Sequence, residues 1–153
     1  MTLNIKAVFA GWLISYIGQL VMNKPILVAF VWAGMNGSTD FATLQRVMDD
    51  LRTSVPLHII ELFTQTIASV AGVHYTVQSA KGASLKHSLA LGILILVSTT
   101  LFALNTLRVW PVWYSALSLF LPVPTAFVAG RWSARKIGTV APTKASGPPI
   151  PAP

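Results

Sequence analysis

The stretch "VPLHIIELFTQ", residues 55–65, holds Glu61, the only glutamate in a chain with four acidic residues in all. His58 stands three residues before it. On a helix, residues at i and i+3 share a face. An imidazole beside a carboxylate can hold a proton, bind a cation or contribute to a metal site. Two ligands do not make a metal site, and no thiolate can complete one because the chain has no cysteine. Haem held by two histidines needs both at similar depth on facing helices. His58 and His74 fall on nearly opposite sides of one helix, which leaves His74 with His87 as the only conceivable pair. We expect no metal, no haem and no other cofactor.

The polar residues do not stop at Glu61. His58, Glu61, Gln65, Ser69, Gly72 and Thr76 follow one another at steps of 3, 4, 4, 3 and 4. At 100° per residue they fill a sector of about 80° on a helix. The other side is mostly Ile, Leu, Val and Phe. Such a stripe must face protein or water rather than lipid. Two uses fit it. Small and hydrogen-bonding side chains bring membrane helices together, or the stripe lines a polar cavity and ligand path.

A membrane setting follows from composition. Of 153 residues, 54% are hydrophobic and only 10% are charged. A soluble domain carries roughly 25% charged residues. A crossing helix needs about 20 predominantly apolar residues. Four runs meet that length: 7–34, 55–79, 88–107 and 110–130. The expected fold is an all-α integral membrane protein with four transmembrane helices in one domain, 1–138, followed by a proline-rich tail, 139–153. The first run is too long for a signal-peptide core and has no convincing cleavage site, so it reads as a retained span. "NKP", residues 23–25, interrupts it. Proline removes a helix hydrogen bond, so the first span is expected to tilt or kink, or else to end near Met22.

Residues 36–54 separate the first two spans. Asp40 is placed to cap a helix. Phe41, Leu44, Met48 and Leu51 form one apolar stripe at steps of 3, 4 and 3. This predicts a short amphipathic helix on the membrane surface or over the bundle, or else a solvated loop helix. Pro122 and Pro124 must bend or unwind the fourth span.

Charge sets the orientation. The net charge is +7, but the basic residues sit at the ends of apolar runs. Lys6, Lys81, Lys86, Arg131, Arg135, Lys136 and Lys144 fall on one side of a four-span chain. Arg46, Arg52 and Arg108 fall on the other, with three aspartates. The positive-inside rule then puts both termini in the cytoplasm and the amphipathic helix outside. Trp32, Trp110 and Trp113 form the expected outer belt, with Trp132 at the inner boundary. No aromatic–basic face or reading helix points to nucleic acid. The closing "VAGRWSARKIG" resembles the last helix of many small bacterial membrane proteins, which implies a bacterial cytoplasmic membrane.

Lys24 and Glu61 are the oppositely charged pair expected within the outer half of the membrane. Glu61 lies six residues below Val55, roughly 9 Å, and Lys24 ten below Gly34, roughly 15 Å, at 1.5 Å per residue. An unpaired charge near the bilayer centre costs at least about 2.5 kcal/mol. Glu61 is therefore expected to face Lys24, with His58, Gln65 or Asn105 completing the hydrogen bonds. Small residues recur as well: Gly11 with Ser15, Ser69 with Gly72, Ser84 with Ser88 and Gly92, and Ala126 with Gly130 and Ala134. They suit a tight bundle or a docking face for another protein.

Hydrolase, phosphate-loop and dinucleotide signatures are missing. The expectation is a non-enzymatic accessory or assembly subunit that packs on other membrane subunits, on lipid or on copies of itself. The alternative is a small transporter or channel component with a polar path along the second helix. A polar cavity within the bundle would favour the alternative.

The topology is open to direct measurement. Single cysteines introduced into this cysteine-free chain should react with an impermeant thiol reagent from outside at residues 36–54. Outside labelling at position 82 would reject the four-span arrangement.

Overall fold

The computed structural model describes residues 3–80, 84–106 and 110–138. These residues form six helices and no strand: α1 (Ile5–Met35), α2 (Phe41–Thr53), α3 (Val55–Ser79), α4 (Ser84–Thr106), α5 (Val112–Phe120) and α6 (Pro122–Gly138). The tail from 139 and the side chain of Asn105 lie outside the described residues.

Local sequence explains the boundaries. The Asn4 side chain accepts the Ala7 N–H at the start of α1. Asn36 ends α1 in the left-handed region at φ 44°, followed by Gly37 at φ 81°. Asparagine and glycine are the residues that reach this region cheaply. Asp40 caps α2 by accepting the Thr43 N–H at 2.7 Å. The Ser38 hydroxyl and then the Thr43 hydroxyl also bond this carboxylate, which holds its pKa at about 2. Pro56 sits in the first turn of α3, where its missing N–H costs nothing.

Proline behaves differently in the two long apolar segments. α1 runs unbroken through Pro25, so the first span does not end near Met22. Pro122 and Pro124 divide the last segment into α5 and α6, with Leu121 between them. Leu121 keeps helical angles, φ −63° and ψ −35°. The segment is interrupted in its hydrogen bonds but does not turn. It also continues to Gly138, beyond the expected end at 130.

Among the described residues three helices are long and apolar enough to cross a membrane: Ile5–Met35, Leu85–Leu104 and Val112–Arg135. This is the build of an integral membrane protein. α3 has 25 residues, which is sufficient length, but its polar stripe takes it out of that set. Burial accounts for the difference. His58, Gln65, Ser69, Gly72 and Thr76 are all buried on α3, whereas Ile59, Phe63 and Ile67 are exposed. α3 is the central helix and packs against α1, α4, α5 and α6. The other helices likewise turn large apolar side chains outward, among them Phe9, Val21, Ile93, Leu101 and Val128. Polar groups inside and apolar groups outside suit a lipid solvent.

α1 and α3 run antiparallel in very close contact. A Cβ at Gly72 would collide with Ser15 Oγ and the Gly11 carbonyl oxygen, and one at Gly11 would collide with Thr76 Oγ1. α4 and α6 repeat the device. A Cβ at Gly92 would lie 2.7 Å from Ala126 Cβ, and one at Gly130 would collide with Ser88 Oγ. The small residues singled out in the sequence thus pack on one another within this chain. At the C-terminal end of α1, Gly34 admits Val47 of α2. Val47 is the buried residue of α2. Phe41 and Met48, of the stripe expected to define its apolar face, remain exposed.

Chain direction follows from the contacts. Asn4 meets His87 and Trp12 meets Ser98, so α1 and α4 run parallel. His58 stacks on Tyr114 and His74 bonds Ser133, so α3 runs parallel to α5 and α6. The start of α1 and the end of α6 therefore share one end of the bundle, here the terminal end. α2 occupies the opposite end. Gly72→Val should lower the melting temperature in detergent, at a cost of about 1–3 kcal/mol for overpacking. Val128→Leu, on the exposed face of α6, should melt as the parent does; equal melting of all three proteins would contradict the close α1–α3 contact.

Candidate functional site

Between the middle of the bundle and the α2 end lies a cavity of about 310 Å³. α1, α3, α4 and α5 all contribute to its wall. Its polar groups include Gln19, Asn23 and Lys24 of α1, Glu61, Gln65 and Ser69 of α3, Ser98 and Thr99 of α4, and Ser115 and Ser118 of α5. Trp12, Tyr16, Phe102, Trp110 and Tyr114 add aromatic surface.

On its side toward the terminal end, the cavity is bounded by contacts that tie α1 to α4. There the Asn4 N–H donates to His87 Nε2 at 2.8 Å, and the Trp12 indole donates to Ser98 Oγ at 3.1 Å. Val8, Val73, Val77, Leu91, Ile95, Ala126 and Ala129 fill that end with an apolar cluster. Ile95 belongs to both the cluster and the cavity wall. The cavity thus has a dry floor facing the terminal end. Toward α2, α3 and α1 remain joined by the Thr64 hydroxyl donating to Asn23 Oδ1.

His58 anchors the end of the cavity nearest α2. It is fully buried. Its Nε2 lies 2.9 Å from the backbone carbonyl of Arg52, in the last turn of α2, where carbonyls lack helical donors. Its Nδ1 lies 3.2 Å from Glu61 Oε2. The ring stacks on Tyr114 with centroids 4.5 Å apart and leans on Trp110 at 5.0 Å. Tyr114 and Glu61 both line the cavity beside it. One imidazole therefore joins α2, α3 and α5 and orients the carboxylate.

The expected polar cluster is only partly reproduced. Lys24, Glu61 and Gln65 line one cavity, and His58 supports it from behind. Asn105 cannot be placed, because its side chain is outside the described residues. The expected Glu61–Lys24 pair is corrected: among the described residues no ion pair joins them, and the side chain that meets the Glu61 carboxylate is His58, at 3.2 Å. The i, i+3 spacing brings His58 to Glu61 on the same helix, while Lys24 is exposed at the cavity rim. Ser69 lines the cavity, as does Ser15 of α1. Gly11, Gly72, Ser88, Gly92, Ala126 and Gly130 serve helix contacts.

The sequence reading missed the aromatic wall and the α5 face. Trp12 and Tyr16 at i, i+4 stack at 5.8 Å, and Ser115 and Ser118 at i, i+3 are both buried. Those spacings were the available signals. The other histidines have partners: His74 Nδ1 pairs with Ser133 Oγ at 3.2 Å and its Nε2 accepts from Gln78 at 2.8 Å. No group of three potential metal-ligating His, Cys, Asp or Glu side chains occurs among the described residues.

In comparisons with known proteins, no family model, no curated protein and no solved structure matches the chain. The site is therefore read from its own geometry.

A double-mutant cycle separates the two possible partners of Glu61. Glu61→Gln and His58→Gln should couple by about 0.5–3 kcal/mol in detergent unfolding, whereas Glu61→Gln and Lys24→Met should add within about 0.5 kcal/mol. The reverse pattern would restore the Lys24 pairing.

Proposed function

We propose that this chain spans the membrane four times and that its cavity binds a small polar solute, as part of a transporter or channel component. α3 is the fourth span in this reading, shielded from lipid by its neighbours. Both termini face the cytoplasm of a bacterial cell, and α2 lies along the outer surface. The carrying observation is the cavity itself, which is lined by both Lys24 and Glu61 and ends on the apolar cluster around Ile95. Ionisable groups within membrane-spanning segments are costly and mark solute pathways. A polar vestibule closed by a dry floor suits a site reached from the α2 side.

The accessory-subunit role is the second reading. Trp32 and Phe41 are 83% and 77% exposed at the α2 end, where a partner subunit or headgroup layer would cover them. The small-residue stripes offer it less support, since they are used inside the chain. Co-purification with a larger complex in mild detergent distinguishes this role.

The cavity reading is tested with single cysteines in vesicles. Ser98→Cys and Ser115→Cys should react with a water-soluble methanethiosulfonate applied on the α2 side. Ile93→Cys, on the outward face of α4, should not. An unreactive Ser98→Cys together with an unreactive Ser115→Cys would remove the case for an aqueous site.

A further inference from the structure

The hydrogen bonds of His58 fix a proton. Its Nε2 faces the Arg52 carbonyl oxygen at 2.9 Å. A carbonyl only accepts, so Nε2 carries a hydrogen. Nδ1 then faces Glu61 Oε2 at 3.2 Å. With Nε2 already protonated, that contact is a hydrogen bond only if one more proton lies on Nδ1 or on Glu61. The pair is either imidazolium with carboxylate or imidazole with carboxylic acid. In both forms it holds one shared proton, and its net charge is zero.

Glu61 also lines the cavity. The titratable groups around it are His58 on its own helix, Lys24 and Tyr16 of α1 and Tyr114 of α5. α4 contributes none among the described lining residues. Lys24 is therefore the one charge in the wall that the shared proton does not neutralise. Its height is close to that of Glu61. Asn23 meets Thr64 across α1 and α3, and counting one residue up α1 and three up α3 puts Glu61 roughly 3 Å above Lys24 at 1.5 Å per residue.

We propose that the cavity takes a small zwitterion bearing a primary ammonium, whose ammonium replaces the proton shared by His58 and Glu61 while its anionic group meets Lys24. This rests on the cavity being a solute site. An ammonium has three donors. One can reach the Glu61 carboxylate, which lines the cavity, beside the aromatic wall of Tyr114 and Trp110, where a cation is attracted by the ring quadrupole, while buried His58 gives up its proton from behind the carboxylate. The exchange balances: one ammonium enters, one proton leaves to solvent, and no bond within the solute is made or broken. Lys24 disfavours a simple cation. A simple anion would engage Lys24 alone and need no proton exchange. A volume of about 310 Å³ is at the small end of ligand pockets and suits a solute of amino-acid size.

The test uses the full chain in lipid nanodiscs and calorimetry in two buffers of different ionisation enthalpy. The probes are L-leucine and 4-aminobutyrate as zwitterions, butylamine as the cation alone and butyrate as the anion alone. At least one zwitterion should bind and release about one proton. Glu61→Gln should abolish proton release and weaken binding at least tenfold. Lys24→Met should erase the preference for zwitterion over butylamine. Glu61→Asp, which keeps the carboxylate, guards against a Glu61→Gln variant that fails to fold; it should retain proton release. Zwitterion binding without proton release overturns the proposal. So does butyrate binding that matches the zwitterion and is lost in Lys24→Met. So does the absence of zwitterion binding by a protein whose Ser98→Cys variant reacts, a result that leaves the aqueous cavity standing. An unreactive cavity would instead remove the underlying solute-site reading.

Discussion

The arrangement depends on keeping the polar face of α3 out of lipid. His58, Gln65, Ser69 and Thr76 lie on that face and are buried by other helices. Hydrocarbon offers no hydrogen-bond partners, so α3 must be surrounded. The consequences extend outward from it. α1 fits against α3 because Gly11 and Gly72 carry no side chains. α4 and α6 close the other side through Gly92, Ala126, Ser88 and Gly130. Large apolar side chains are left for the outside, where lipid replaces water as solvent.

The two halves of the bundle meet this constraint in different ways. Toward the terminal end, apolar residues from α1, α3, α4 and α6 fill the space around Val73 and Leu91. Toward α2, the same face of α3 borders a cavity with Glu61 and Gln65 on its wall. The stripe thus serves both uses that its pattern allowed: close packing at Gly72 and Thr76, and a polar lining at Glu61, Gln65 and Ser69. Helical spacing cannot divide a stripe in this way. The division follows from which side chains of the neighbouring helices meet α3 at each level, which is a tertiary property.

Much of the fold was legible because lipid imposes a simple rule on periodicity. The inward face of α3 follows from six positions in "HIIELFTQTIASVAGVHYT", and the bounds of α3 follow from Pro56 and the end of the apolar run. Charge pairing was less legible. Depth along the membrane places Lys24 near Glu61, but depth alone does not tell which side chain reaches the carboxylate. His58 is closer because it shares the helix. The aromatic wall was hidden because Trp12, Tyr16, Trp110 and Tyr114 are spread over two distant parts of the sequence. Aromatic residues in a membrane segment read first as interfacial belt residues.

Pro122 and Pro124 have a mechanical meaning beyond dividing α5 from α6. Neither nitrogen can donate to the carbonyls of Ser118 and Phe120, so two nearby rungs are missing from the backbone ladder. A helical rod bends most easily where such rungs are absent. Below the gap, α6 is clamped to α4 by the close contacts of Gly92 with Ala126 and of Gly130 with Ser88. Above it, α5 supplies Ser115, Ser118 and Tyr114 to the cavity wall. The compliant joint therefore lies between a fixed base and a wall panel, so a small rotation there would change the width of the vestibule without disturbing its floor.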